Sequence, residues 1–263
     1  MQPESDGEKR GGQMTDAPAC NTHPDLVSFD HPLPHFRDSL NRQRRTRVVA
    51  IGSSSTAGVG DVVPYPYRLE QLFRQESTFY GRMIDIINRG IGGQESPEQL
   101  ARFESDVIAE APALVIWQVG TNAIYHKDSY NFDAVVAAID VGLGWLAGLP
   151  MDVVLMDLQY TAALVTTSGK LALSEELETR IAEVAARREV NLFKRWALMK
   201  RWCTEGQIPL AVMDDGADEH LHMSDWATAC STKALCHAMV SAPEARSVVD
   251  RSQIAKISSA FVS

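Results

Sequence analysis

The sequence predicts an α/β protein in which helices cover both faces of a parallel sheet. Short apolar runs rich in β-branched residues alternate along the chain with segments whose apolar residues recur at helical spacing. The runs are apolar on both of their faces, which is typical of strands buried in a parallel sheet. With 263 residues, of which 45% are hydrophobic and 22% charged, the chain can bury one core without disulfides or metals.

Five apolar runs predict strands, and six segments of helical spacing predict helices. The strands are expected at residues 47–53, 83–88, 113–119, 152–158 and 190–193. The helices are expected at residues 67–75, 96–110, 132–146, 174–188, 194–203 and 224–239. Ser96, Pro97 and Glu98 form a helix-start signal, and Glu176 and Glu178 suit a helix N-terminus because of the helix dipole.

Composition divides the chain into a folded domain and two flanking segments. Residues 1–45 are rich in Pro, Asp, His and Arg and show little periodicity. Such segments bury too little apolar surface to fold, so we expect an extended or disordered N-terminal arm. The folded domain is expected at residues 46–242, and residues 243–263 are expected to form a C-terminal tail.

Charge and hydropathy disfavour several kinds of partner. The formal net charge of −9 disfavours binding to nucleic acid or to anionic membranes. The first 30 residues contain no apolar run like that of a signal peptide, and no stretch approaches the ~18 apolar residues of a membrane span. We therefore expect a cytoplasmic protein with no nucleic-acid partner and no stable membrane association.

The four cysteines, Cys20, Cys203, Cys230 and Cys236, are expected to be reduced. Their spacing matches no paired zinc-ligand pattern. Cys230 and Cys236 fall on the last predicted helix, where cysteine commonly acts as a small apolar side chain.

The loops that follow the predicted strands carry the residues of acyl-transfer chemistry. In parallel sheets, active groups lie at the carboxyl ends of the strands. A serine-rich turn at residues 52–58 follows the first strand, and residues 88–94 and 120–123 follow the next two. A serine nucleophile needs a base, for which His222 or His220 is available, and a carboxylate that orients the base. The glycine-rich loops and Asn122 offer N–H donors for the oxyanion, so every role in acyl transfer has a candidate.

These loops resemble the motif blocks of the SGNH (GDSL-like) hydrolases. Residues 52–58 read Gly-Ser-Ser-Ser-Thr-Ala-Gly and are similar to the first block, although serine replaces its usual Asp. The resemblance puts the nucleophile at Ser54, with Ser53 and Ser55 as alternatives. It also implies an oxyanion hole formed by the N–H groups of Ser54 and Gly93 and by the amide of Asn122.

The last block is expected to supply the base and its acid. His222-Met223-Ser224 resembles the second half of that block, which implies that His222 is the base, with His220 as the alternative. The usual pattern has Asp three residues before the histidine. Here Glu219 stands at that position and Asp218 one residue earlier, so either of them is a candidate for the acid. Asp215 is a further candidate.

The resemblance implies a three-layer α/β/α sandwich, flavodoxin-like, with a central parallel sheet of about five strands. It also implies an ester hydrolase that forms an acyl-enzyme and requires no metal or organic cofactor. The partner would be a small-molecule ester with a short acyl or acetyl group, whereas the oligomeric state stays open. Residues 161–173, with Tyr160, Tyr125 and Trp226, are candidates for the pocket wall.

Two other functions remain open at this point. A noncatalytic binding protein can share this fold, because fold does not imply function. Alternatively, the turn at residues 52–58 can cradle a phosphate, as in flavodoxin-like binders of nucleotides or flavins. The turn contains neither the lysine of a P-loop nor the spacing of a dinucleotide-binding motif.

Overall fold

A computed structural model describes residues 17–76 and 81–244, and it contains a five-stranded parallel sheet. The strands are β1 (Arg45–Gly52), β2 (Met83–Gly90), β3 (Leu114–Gln118), β4 (Asp152–Met156) and β5 (Asn191–Phe193). Their order across the sheet is β2-β1-β3-β4-β5, and every neighbouring pair is parallel. All residues of β3 are buried, as expected for a strand covered on both faces. The predicted α/β fold is confirmed.

Thirteen α-helices occur in the described residues. They are α1 (Pro24–Val27), α2 (Pro34–Arg42), α3 (Ser54–Ala57), α4 (Tyr65–Gln75), α5 (Ser96–Leu100), α6 (Phe103–Asp106), α7 (Thr121–Tyr125), α8 (Phe132–Leu146), α9 (Ala162–Val165), α10 (Lys170–Arg187), α11 (Arg195–Thr204), α12 (Leu210–Met213) and α13 (Asp225–Val240). None of these helices combines the length and the apolar character that crossing a membrane requires. The helix predicted at residues 96–110 is interrupted at Arg102, whose guanidinium donates to the carbonyl of Gly52 and to Gln94.

The direction of the connections determines where the sheet can bind a ligand. Right-handed crossovers place a connecting helix on a face set by the direction in which the chain moves across the sheet. The chain moves one way from β1 to β2 and the other way from β2 to β3, and α4 packs with α13 whereas α5 packs with α8. From β1 the chain first goes to one neighbouring strand, β2, and then crosses to the other neighbour, β3. The point at which the strand order reverses therefore lies between β1 and β3. Ligands of open parallel sheets bind outside the carboxyl ends of the strands at such a point.

Part of the N-terminal arm is folded, contrary to the sequence prediction. Residues 17–44 contain α1 and α2 and bury Leu33, Phe36 and Leu40 in the core. The backbone N–H of Phe36 also donates to the carboxylate of Asp152 at 2.8 Å. Because this anchoring uses only a few apolar side chains, composition did not reveal it. Residues 1–16 and most of the predicted C-terminal tail, from residue 245 onward, lie outside the described residues.

Cys20 and Cys230 form a disulfide, so the prediction of four reduced cysteines is wrong. The bond joins the N-terminal arm to α13 across 210 residues of sequence. Two indole N–H groups hold the same segment of the arm: Trp202 donates to the carbonyl of Asn21 and Trp226 donates to that of Pro18. The partner of Cys20 could not be inferred from spacing, because the fold alone brings the arm onto α13.

Removing this disulfide is expected to lower stability. A cross-link that closes a long loop restricts the unfolded chain, and its loss typically costs about 2–5 kcal/mol. We expect Cys20→Ser to lower the Tm clearly, whereas Cys203→Ser, at a free and partly buried cysteine, should lower it much less. Thermal unfolding without reductant measures both. Equal melting temperatures for Cys20→Ser and the wild type would contradict the stabilising role.

Candidate active site

The serine-rich turn that follows β1 is held by one buried side chain. Gln118, at the end of β3, accepts hydrogen bonds from the backbone N–H and the hydroxyl of Ser53, both at 2.9 Å. The same amide oxygen accepts from the hydroxyls of Ser55 at 3.2 Å and Thr56 at 3.3 Å. The two alternative serines are therefore directed toward Gln118. Ser54 has a different partner.

Ser54 forms a hydrogen bond with His222. The Oγ of Ser54 lies 2.9 Å from Nε2 of His222, although 168 residues separate them in sequence. Ser54 begins α3 directly after β1, and His222 lies in the loop between α12 and α13. A serine hydroxyl acts as a nucleophile when a general base such as histidine lies within hydrogen-bond reach.

The carboxylate beside His222 is Asp215, and neither Asp218 nor Glu219 takes that position. An oxygen of Asp215 lies 3.8 Å from Nδ1 of His222, with 10% of the Asp215 side chain and 17% of the His222 side chain exposed. Asp218 and Glu219 are both exposed. At this distance the two groups form no hydrogen bond, and they form an ion pair only when His222 is protonated. Catalytic hydrogen bonds of unliganded enzymes are often long and tighten when substrate binds.

Backbone pairing within the loop explains why Asp215 is the neighbour. Asp214 and Met223 form an antiparallel bridge, and the N–H of Asp215 donates to the carbonyl of His222 at 3.2 Å. The loop between them therefore folds back on itself, which places residue 215 opposite residue 222. His220 turns away with a φ of 49°, and its Nδ1 lies 3.2 Å from the carboxylate of Asp214.

The loop after β2 approaches the nucleophile because glycines leave room for it. A Cβ added to Gly90 would lie 2.1 Å from the backbone nitrogen of Ala57, so only glycine allows this close packing. A Cβ added to Gly92 would lie 3.9 Å from the Cβ of Ser54, in ordinary contact. The loop that carries Gly93 is therefore adjacent to Ser54, as the motif order predicts.

Asn122 contacts the same loop. It is buried at the start of α7, and its amide nitrogen donates to the carbonyl of Gln94 at 2.9 Å. Gly120, directly before α7, has a φ of 95°, a conformation that side chains disfavour and glycine accepts. The structure thus brings Ser54, His222, the Gly93 loop and Asn122 to the carboxyl ends of β1, β2 and β3.

The sequence matches one protein family along most of its length. The family described as Non-GDSL lipase-like matches residues 19–244. The chain belongs to this family. Membership confirms the resemblance to SGNH (GDSL-like) hydrolases, and it classes the chain with the carboxylic ester hydrolases. The family description also accords with the first block, where Ser53 stands in place of the usual Asp.

Solved structures share the fold at low sequence identity. The acetylxylan esterase Axe2 from Geobacillus stearothermophilus is 17% identical with a TM-score of 0.63, and the similarity covers 74% of this chain and 94% of that chain. LAE5, an alpha/beta hydrolase enzyme from the metagenome of Lake Arreo, Spain, is 16% identical with a TM-score of 0.63, covering 76% of this chain and 97% of that chain. The likeness shows a common fold.

One curated relative matches a short part of the chain. The uncharacterized lipoprotein YqeF of Bacillus subtilis (strain 168) is 37% identical over 76 residues. The match covers 28% of this chain, and the chain spans only about a third of that relative, 31% of its length.

A narrow cleft opens beside Ser54 in this member of the lipase-like family. Its volume is about 280 Å³, including the part open to solvent. The lining residues are Ser54, Ser55, Gly58, Val59, Val62, Pro64, His222, Met223 and Thr228. Tyr160 instead packs on Trp196 and Trp226 on Trp202, while the ring of Tyr125 lies under Lys170. These three aromatic side chains, candidates for the pocket wall, do not line this cleft.

Sequence reasoning missed one polar residue of the site, Gln118, and it gave Asp215 only as a further candidate for the acid after Asp218 and Glu219. Gln118 carried a signal, since a glutamine at the end of an otherwise apolar strand needs a hydrogen-bond partner when buried. Asp215 carried none beyond being one of several acidic residues near His222. Within the described residues, no three His, Cys, Asp or Glu side chains cluster as metal ligands would.

Proposed function

We propose that this protein is a serine esterase that cleaves short-chain acyl esters, with Ser54 as nucleophile and His222 as general base. The observation that supports this function best is the 2.9 Å hydrogen bond between the Ser54 hydroxyl and Nε2 of His222. A noncatalytic protein has no need for this pairing at the carboxyl edge of the sheet.

The reaction has two halves, the acylation of Ser54 and the hydrolysis of the acyl-enzyme. In each half His222 accepts one proton and then donates it. His222 takes the hydroxyl proton while the Ser54 Oγ attacks the ester carbonyl, and the imidazolium then gives that proton to the departing alcohol. A water molecule attacks the acyl-enzyme with the same help, which releases the acid and regenerates the serine. Asp215 is the proposed acid: its charge stabilises the imidazolium and holds the ring in the tautomer that leaves Nε2 free to accept.

The oxyanion is proposed to bind the N–H groups of Ser54 and Gly93 and the amide of Asn122. An amide nitrogen carries two N–H bonds. In Asn122 one of them holds the carbonyl of Gln94, which orients the amide beside the Gly93 loop and leaves the second for the developing negative charge. Donors fixed in advance stabilise such a charge more than water does, because they need no reorganisation.

Replacing Asn122 is expected to slow the chemical step. Removal of one oxyanion donor costs on the order of 10²–10³ in kcat, so we expect Asn122→Ala to lose about that much with a smaller change in KM. Asn131→Ala is the matched control, because Asn131 caps α8 through its contact with the N–H of Ala134. Steady-state kinetics on p-nitrophenyl acetate measures both. An unchanged kcat for Asn122→Ala would remove the amide from this role.

The size of the cleft supports a short acyl group. Pockets for small molecules usually measure about 300–1,000 Å³, whereas the enclosed space beside Ser54 is far smaller, about 20 Å³. Its walls are largely apolar, with Val59, Val62 and Met223 among them. Axe2, which has the same fold, is an acetylxylan esterase by name, and this makes acetyl esters the first substrates to test.

The serine-rich turn does not favour a phosphate ligand. The backbone N–H groups of Thr56 and Ala57 donate to the carbonyl of Ser53, and that of Gly58 donates to the carbonyl of Ser54. Phosphate-binding turns direct such groups at the ligand. The nucleotide-binding alternative therefore has less support than the esterase.

The cytoplasmic location stays a prediction, and one feature argues against it. Disulfides persist mainly in oxidising compartments such as the periplasm or the cell exterior. The bond between Cys20 and Cys230 is therefore better explained by an exported protein.

The proposed function is tested with a series of acyl chain lengths. We expect the wild-type protein to hydrolyse p-nitrophenyl acetate faster than the butyrate, and the butyrate faster than the octanoate. Octanoate as the best substrate would contradict the short-acyl part of the proposal. No hydrolysis of any of the three, together with no labelling by a fluorophosphonate, would contradict the esterase itself.

A further inference from the structure

Glu95 is a buried carboxylate that the proposed chemistry does not use. It is 1% exposed and stands directly after the loop that carries Gly93. One carboxylate oxygen accepts from the N–H groups of Ser96 at 2.9 Å and Gly120 at 2.8 Å, and the other accepts from the N–H of Ala123 at 3.1 Å. The side chain thus joins the loop after β2 to the start of α7.

The contacts of Glu95 enclose the proposed oxyanion amide. Gly120 and Ala123 lie on either side of Asn122 in sequence, so the carboxylate fixes the backbone turn that carries this amide. The amide itself donates to the carbonyl of Gln94, the residue before Glu95. Glu95 therefore holds Asn122 through the backbone on either side of it, and Gln94 holds Asn122 through its side-chain amide.

A carboxylate suits this position better than any neutral side chain. Burial, with a further contribution from the charge of Glu98, raises the pKa of Glu95, and the N–H groups of Gly120, Ser96 and Ala123 offset only part of this effect. Burying a carboxyl group is costly unless its oxygens are hydrogen-bonded. Because all three neighbours are donors, both oxygens must accept, which an ionised carboxylate does and an amide cannot do.

We propose that Glu95 is a positioning residue that holds the Asn122 amide in the geometry required to bind the oxyanion. This inference rests on the proposed esterase function. Glu95 would act through Asn122 and would not touch the substrate. Small displacements of such donors are costly, because a misplacement of about 1 Å can reduce the rate by on the order of 10².

The test compares two substitutions at Glu95 with a control at another buried carboxylate. Glu95→Gln keeps the size of the side chain but places an NH₂ group opposite one of the three donors, and Glu95→Asp keeps the charge but shortens the reach. Asp152→Asn is the control, because Asp152 is also a buried carboxylate that accepts from a backbone N–H, that of Phe36, and it lies at the start of β4, away from the carboxyl ends of the strands. The readouts are kcat and KM on p-nitrophenyl acetate, with circular dichroism to check folding.

We expect Glu95→Gln to lower kcat by about tenfold to a hundredfold with KM nearly unchanged, as for an interaction made only in the transition state. Glu95→Asp should retain more activity than Glu95→Gln, and Asp152→Asn should retain nearly all of the wild-type activity. In the Asn122→Ala background, Glu95→Gln should have little further effect, because residues that act as a unit are not additive.

The possible outcomes distinguish an error in the role of Glu95 from an error in the proposed function. Additive losses in the double variant, or equal losses for the Glu95 and Asp152 variants, would show that Glu95 supports only the fold and would overturn this inference while the esterase stands. If Glu95→Gln does not fold, the same comparison with Glu95→Asp decides the matter. A wild-type protein without esterase activity would overturn the proposed function and this inference with it.

Discussion

Ser54→Ala is expected to abolish ester hydrolysis while leaving the fold intact. Loss of the nucleophile in a serine hydrolase lowers kcat by on the order of 10⁶, since the remaining groups have no hydroxyl to activate. The side chain of Ser54 makes one described contact, the hydrogen bond to His222, so its removal disturbs no core packing. The measurement is kcat for p-nitrophenyl acetate, with the melting temperature as a check on folding.

The neighbouring serines provide the controls for Ser54→Ala. The Ser53 hydroxyl and the Ser55 hydroxyl both donate to Gln118, so each shapes the turn without facing His222. We expect Ser55→Ala to retain most of the activity and Ser53→Ala to lose part of it through the turn. Retained activity in Ser54→Ala, with loss in one of the other two variants, would move the nucleophile to that serine.

Asp215→Asn is expected to cause the second largest loss, on the order of 10⁴ in kcat. The corresponding substitution in a serine protease triad has an effect of this size because the amide stabilises the wrong imidazole tautomer and removes the charge that balances the imidazolium. The 3.8 Å separation from Nδ1 of His222 and the low exposure of both side chains place Asp215 in that position. Steady-state kinetics with a short-chain ester measures the loss.

Asp218→Asn and Glu219→Gln are the matched controls for Asp215→Asn. Both side chains are exposed, and both residues lie in the same loop as His222. Each substitution removes one negative charge from the loop, as Asp215→Asn does, so general electrostatics affects all three variants alike. We expect near-wild-type rates for the two controls. A large loss in either of them, with none in Asp215→Asn, would reassign the acid.

Strand positions and the order of motifs were predictable because they depend on local sequence. The helix predicted at residues 132–146 coincides with α8, and β3 was predicted within one residue at each end. Buried strands in a parallel sheet are apolar throughout, which makes them distinct from their surroundings. The strands predicted that the loops carrying Ser54, Gly93 and Asn122 lie at one edge of the sheet, whereas the choice of these residues came from the resemblance to the SGNH hydrolases.

The partner of His222 was not predictable because it depends on how a loop folds. A spacing of three or four residues favoured Glu219 or Asp218, whereas the structure places a residue seven positions away beside the ring. The bridge between Asp214 and Met223 decides this arrangement, and it leaves no sequence signal. The Cys20–Cys230 disulfide was missed for a similar reason, since a contact across 210 residues is a property of the fold.

The most direct test of a serine esterase centred on Ser54 is covalent labelling by a fluorophosphonate, with the modified residue identified by mass spectrometry of the digested protein. The reagent requires an activated hydroxyl, so it reports on the Ser54–His222 pair without knowledge of the natural substrate. We predict one label per chain, located on Ser54, and much slower labelling of the His222→Gln variant. No label under conditions that modify a known serine hydrolase, or a label on another residue, would contradict the proposed function.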